Sequence, residues 1–137
     1  MQGLRSIAAI VAGFGFMAST VMVGTILAAG LFLPAGQTAA AGSIPLMYVA
    51  ANVVTSLLGG LFGGWLAARI GASAPFAHAI ALAALTAVLA ILSVRQAGGA
   101  AQAPWYPLAV GTAGVAGVLA GGKLRAAAAS SPGAVVA

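Results

Sequence analysis

Apolar residues fill four long stretches of this chain, over about residues 6–33, 44–68, 75–94 and 105–122. Each ends at a breaker or a cation: Pro34 after the first, Arg69 after the second, Arg95 after the third, Lys123 and Arg125 after the fourth. A helix needs about 20 residues to cross about 30 Å of hydrocarbon, so each run is near membrane length, and the first two are long enough to tilt. The runs are continuous, without the alternation of the roughly 10-residue strands in a membrane barrel. The pattern predicts an all-α membrane protein: a bundle of four transmembrane helices over residues 1–125 and a flexible tail over 126–137, where Ser130-Ser131-Pro132-Gly133 interrupts the sequence. Residues 34–43 read as a breaker-rich loop, Ile70 to Ala74 as a tight turn with Pro75 in the first turn of the next helix, and residues 96–104 as a Gly/Ala/Gln-rich linker.

Composition strengthens this picture. Of 137 residues, 63% are hydrophobic and only 4% are charged. A soluble domain carries about 25% charged residues, so this chain cannot coat a globule for water. There is no Asp or Glu, against five cations. With both termini inside, Arg5, Arg69, Lys123 and Arg125 lie on the inner side and only Arg95 outside; the reverse places one inside and four out. The excess of inner cations selects the N-in/C-in arrangement. Tyr48, Trp105 and Tyr106 then fall near the outer interface and Trp65 near the inner one. The expected location is a bacterial inner membrane, multi-pass. A cleaved leader is disfavoured, because the first apolar run exceeds the roughly 7–15 residues of such a segment. Arg69, Lys123 and Arg125 set topology and are candidates for anionic lipid headgroups; Arg95 snorkels to headgroups or meets an acid on a partner. The cations are scattered singly, which argues against a nucleic-acid partner.

Small residues recur at helical spacing. Tyr48, Asn52, Ser56, Gly59 and Gly63 share one face of the second helix, and Gly59/Gly63 and Gly60/Gly64 form overlapping small-xxx-small pairs. The fourth helix presents Gly111, Gly114, Gly117 and Gly121, the first Gly13, Thr20, Gly24 and Ala28, the third Ala79, Ala83, Thr86 and Ala90. Such residues let helix backbones approach closely in lipid, so the stripes are expected to meet inside the bundle. Gly63-Gly64-Trp65-Leu66 with Arg69 and Gly121-Gly122-Lys123-Leu124 with Arg125 would make two parallel hairpins if they marked a repeat. In a chain with 20 Gly, and with no counterpart in the first and third helices, chance accounts for the likeness.

Asn52 lies about two turns into the second helix, where its amide must be hydrogen-bonded. Two roles stand: a bond to a backbone carbonyl or to Thr20 or Thr86, or, with Thr55 and Ser56, the polar lining of a solute path. His78, the single histidine, lies one turn into the third helix. It is an interfacial group bonded to a loop carbonyl or headgroup, or a pH-sensitive group or axial cofactor ligand. With no Cys, no carboxylate and one His, the convergent groups of acid–base, nucleophilic or metal catalysis are missing. The chain is expected not to be an enzyme, and its residues imply no cofactor and no metal.

Two four-helix families are excluded. Small multidrug transporters depend on a Glu in the first helix, which this chain lacks, and small fluoride channels carry a Gly-Gly…Arg motif in the first helix and a Thr/Phe-rich break in the third, neither of which it has. Gly63-Gly64-Trp65-Leu66-Ala67-Ala68-Arg69, Pro75-Phe76-Ala77-His78-Ala79, Pro104-Trp105-Tyr106 and Gly121-Gly122-Lys123-Leu124-Arg125 resemble a widespread set of small bacterial inner-membrane proteins of no assigned activity. That resemblance covers helices two to four and implies four helices. The function expected is a non-enzymatic scaffold or accessory subunit acting through helix packing, as a homo-oligomer or within a larger membrane complex. The alternative is a small channel or transporter with Asn52, Thr55 and Ser56 on its path, and a third is a cofactor- or pigment-binding subunit using His78.

Overall fold

The computed structural model describes residues 2–34, 44–71, 73–97 and 105–130. The described residues form four helices: α1 (Gln2–Phe32), α2 (Leu46–Ile70), α3 (Pro75–Ala97) and α4 (Trp105–Ser130). All four are long and apolar enough to cross a membrane. The loop expected before Ser43, most of the linker before Trp105 and the end of the tail lie outside the described residues. One expectation is corrected. The fourth helix does not fray after Arg125 but continues to Ser130. Ala126 to Ala129 are the strongest helix formers available, and the first breaker, Pro132, comes only after them.

The bundle is built on α2 and α4, which run parallel. Tyr48 stacks on Tyr106 at one end, ring centroids 6.1 Å apart, and Gly64 meets Val118 further along. Their backbones touch. A Cβ at Gly60 would overlap the Gly114 carbonyl, one at Gly64 the Val118 carbonyl, one at Gly117 the Leu57 carbonyl and one at Gly121 the Leu61 carbonyl. Each helix thus lays glycines against the other's carbonyls.

The outer partners follow from helix rotation. Consecutive helical residues are about 100° apart. On α2, Gly64 faces α4 and the preceding residue, Gly63, faces Gly13 of α1. On α4, Gly121 faces α2 and the following residue, Gly122, faces Ala79 of α3. For parallel helices, a step back on one and a step forward on the other point to the same side. α1 and α3 therefore lie side by side, and the ring order is α1–α2–α4–α3. Tandem hairpins related by a two-fold axis would put them on opposite sides, so the two Gly-Gly endings are not an internal repeat.

α1 runs antiparallel to α2, with Gly13 against Gly63, Thr20 against Gly59 and Gly24 against Thr55. α3 runs antiparallel to α4, with Ala79 against Gly122 and Ala90 against Gly111. The α1 and α4 backbones stay apart across the diagonal. Met17 fills that space: it lies beside Gly63 and reaches Gly114, and its sulfur is 3.9 Å from the Thr86 hydroxyl. An unbranched thioether suits an irregular gap bounded by four helices. Below Met17, Leu82, Ala83, Ala67, Ala79 and Val118 close an apolar core. Large apolar side chains face outward instead, among them Ile7, Val11, Ile26, Leu27 and Leu31 of α1 and Val88 and Ile91 of α3.

Because the seam is backbone against backbone, a side chain there cannot be absorbed by a rotamer change. Gly64→Val and Gly121→Val are each expected to destabilise the folded bundle by about 1–3 kcal/mol or to prevent its assembly. Gly30→Val, where nothing lies within 4 Å of an added Cβ, is expected to leave the unfolding midpoint in detergent nearly unchanged.

Candidate functional site

The polar side chains within the bundle divide between its two ends. At the end marked by Tyr48 and Tyr106, Asn52 is 1% exposed. Its amide nitrogen donates to the Tyr48 carbonyl at 2.9 Å, and its oxygen accepts from the Thr25 hydroxyl at 2.5 Å. The expected partners Thr20 and Thr86 are engaged elsewhere: each donates to its own helix, to the Phe16 and Leu82 carbonyls. The antiparallel register of α1 on α2, with Gly13 against Gly63, brings Thr25 rather than Thr20 level with the amide. Ser56, 2% exposed, donates across the seam to the Val110 carbonyl of α4 at 2.8 Å. Thr55 donates to Ala51 within its own helix and packs on Gly24.

The three residues of the candidate polar path therefore diverge. Asn52 and Thr55 face α1, while Ser56 faces α4. No buried side-chain nitrogen or oxygen among the described residues lacks a hydrogen-bond partner.

A cavity of about 320 Å³ opens where α1 and α3 part above Met17. Phe14, Met17 and Val21 of α1, Thr86, Leu89 and Ser93 of α3, and Tyr106 and Val110 of α4 line it, and Ser56 reaches it from α2. The wall is largely apolar, and its serine and threonine hydroxyls already donate to carbonyls. Met17, Ser56 and Thr86 lie at the level where the closed core begins, so the cavity is a lateral recess.

The opposite end carries Arg5, Arg69, His78, Lys123 and Arg125. His78 is 8% exposed, and its Nδ1 sits 2.8 Å from the Ala74 carbonyl. A carbonyl has no proton to give, so Nδ1 is the donor. The ring occupies the space where Gly71 would carry a Cβ. A residue other than Gly at position 71 would push the imidazole out of the turn. The hollow beside His78 measures about 100 Å³, well under the roughly 300–1,000 Å³ of ordinary small-molecule sites, so it does not admit a macrocycle. Arg69 lies over Trp65, 5.0 Å from the ring centroid; Arg69 and Lys123 are exposed and Arg125 half-buried. Among the described residues no group of three His, Cys, Asp or Glu is placed to hold a metal ion.

The glycine positions singled out in the sequence are all placed against neighbouring helices: Gly59 and Gly63 on α1, Gly111 on α3, Gly114 on Met17 and Ser56, and Gly117 and Gly121 on α2. Sequence reasoning missed Thr25 and Met17. Both look like ordinary members of an apolar run, and only the helix register reveals their roles.

The Thr25–Asn52 bond is expected to give a coupling of about 0.6–1.7 kcal/mol in a double-mutant cycle of Thr25→Val and Asn52→Leu, read from reversible unfolding in mixed micelles. A coupling indistinguishable from zero would remove this bond from the account of α1 docking. Comparison with protein-family models, with curated proteins and with solved structures finds no match to this chain.

Proposed function

We propose that the chain is a non-enzymatic, multi-pass protein of a bacterial inner membrane, with both termini inside, that serves as a scaffold or accessory subunit. The observation that carries this reading is the completeness of the interior. Among the described residues the buried side-chain polar atoms are paired, the glycine stripes of α2 and α4 are spent between the chain's own helices, and no three His, Cys, Asp or Glu side chains come together. What remains for contact with other molecules is the apolar outer surface and the cationic end. Helix packing thus builds the fold, and association with a second copy or a larger complex falls to the exposed face of α1, where Ile26, Leu27 and Leu31 project.

The rival reading is a small channel or transporter. The recess above Met17 favours it, since it brings Ser56 and Thr86 to an opening. A conduit would also have to pass the core around Leu82 and Val118, both fully buried.

Two measurements separate these readings. Photo-reactive residues at Ile26 and Leu27 are expected to give a discrete protein–protein adduct in native membranes, and proteoliposomes are expected to show no ion or solute flux above empty liposomes. Lipid adducts alone, or a flux raised by Met17→Ala and abolished by Ser56→Leu, would overturn the scaffold reading. Orientation is tested separately. The chain has no Cys, so single cysteines can be introduced at Gly3, Gln96 and Ser130. A membrane-impermeant reagent is expected to label Gln96→Cys from outside and the other two only after permeabilisation.

A further inference from the structure

The small hollow at the cationic end has a wall unlike that of the recess above Met17. Slightly more than half of it is polar, and three segments build it: Arg5 and Ser6 from the start of α1, Gly71 and Ser73 from the α2–α3 turn, and His78 from the first turns of α3. Arg5 is fixed by one bond, from its Nε to the Ile70 carbonyl at 3.0 Å. That bond holds the guanidinium at the C-terminus of α2 and does not use the two Nη groups, which are the better donors to a tetrahedral oxyanion.

The electrostatics of the corner favour an anion. Two of the α2 carbonyls at this corner are covered: Ile70 by Arg5, and Ala67 by the backbone N–H of Gly71 at 2.9 Å. α3 begins at Pro75 beside the hollow and brings the positive end of its dipole with it. Ser73 is exposed and makes no hydrogen bond among the described residues. The sequence contains no Asp or Glu, so no acidic side chain of the chain itself can neutralise Arg5. His78, held by Ala74 and seated over Gly71, gives the hollow a fixed wall.

We propose that this hollow binds a phosphate group, held by the Arg5 guanidinium and the Ser73 hydroxyl at the N-terminus of α3. A small hollow of about 100 Å³ suits a single phosphate group. Its place at the end of membrane-length helices lets the phosphate come from an anionic lipid headgroup or from a free ion. The site stands or falls independently of the scaffold reading.

The test uses the full chain, delipidated in neutral detergent. One arm titrates inorganic phosphate and follows the phosphorus resonance. The other offers equal amounts of phosphatidylglycerol and phosphatidylcholine and reads retained lipid by native mass spectrometry. Saturable one-to-one binding is expected in at least one arm. Arg5→Gln and Ser73→Val, both at exposed positions, are expected to weaken it about tenfold or more, as loss of a charge-assisted bond or blockage of the hollow requires. Arg125→Gln removes the same charge outside the hollow and is expected to change affinity less than about twofold. Phosphatidylglycerol binding that inorganic phosphate does not match identifies a headgroup site; binding of inorganic phosphate identifies an ion site. No binding in either arm, or equal losses for Arg5→Gln and Arg125→Gln, would overturn the proposal.

Discussion

The bundle depends on one contact, the meeting of the α2 and α4 backbones. In lipid there is no hydrophobic effect to press two apolar helices together, because hydrocarbon solvates them as well as they solvate each other. Association has to come from close packing, and close packing is best where side chains are missing. α4 therefore carries five glycines in its 26 residues, although each lowers intrinsic helix stability by about 1 kcal/mol relative to Ala. The membrane offsets part of that cost, since a backbone in hydrocarbon has no alternative hydrogen-bond partners outside a helix. Glycine is thus affordable here in a density that a water-exposed helix of this length would not sustain.

The positions of α1 and α3 follow from the same seam. A residue one step before a seam glycine on α2, and one step after a seam glycine on α4, point to the same flank. The two outer helices must share that flank, where they converge at Met17 and Leu82 and separate toward the Tyr48 end. The recess above Met17 is a geometric consequence: α1 follows α2, α3 follows α4, and nothing draws the two outer helices together beyond the core. The same arrangement draws the starts of α1 and α3 to the end of α2, which is how Arg5 comes to lie against Ile70 and beside His78.

Much of the fold was legible because its cause is local. Four apolar runs of membrane length leave few other structures, and the stripes from Gly13 to Ala28, Ala79 to Ala90 and Gly111 to Gly121 mark surfaces that pack. Helix register was not legible. Asn52 required a partner, but whether that is Thr20, Thr25 or Thr86 depends on how far α1 slides along α2, which the apolar pattern of either helix leaves open. The grouping of Arg5 with Ser73 and His78 was hidden for the same reason: Arg5 lies 65 residues before Ile70 and reaches it only through the register of α1 on α2. The end of α4 was misjudged because Lys123 and Arg125 read as the membrane boundary, and a helix need not stop where the membrane does.

The division of labour between glycine and polar residues explains why both are present. A glycine surface is permissive: helices that touch through small-xxx-small steps lose little packing when one slides by a turn, because another small residue arrives in place of the first. Register has to be set by groups that tolerate no slip. Ser56 to the Val110 carbonyl sets α2 on α4, and Thr25 to Asn52 sets α1 on α2. Each bond adds only about 1 kcal/mol. The alternative register, however, strands the inward-facing oxygen of Asn52 in hydrocarbon, where an unpaired polar group costs several kcal/mol. These side chains contribute more by penalising the wrong arrangement than by strengthening the right one. On this account the buried amide and hydroxyls are structural determinants of the bundle, and the chemistry left for other molecules lies at its ends and on its outer face.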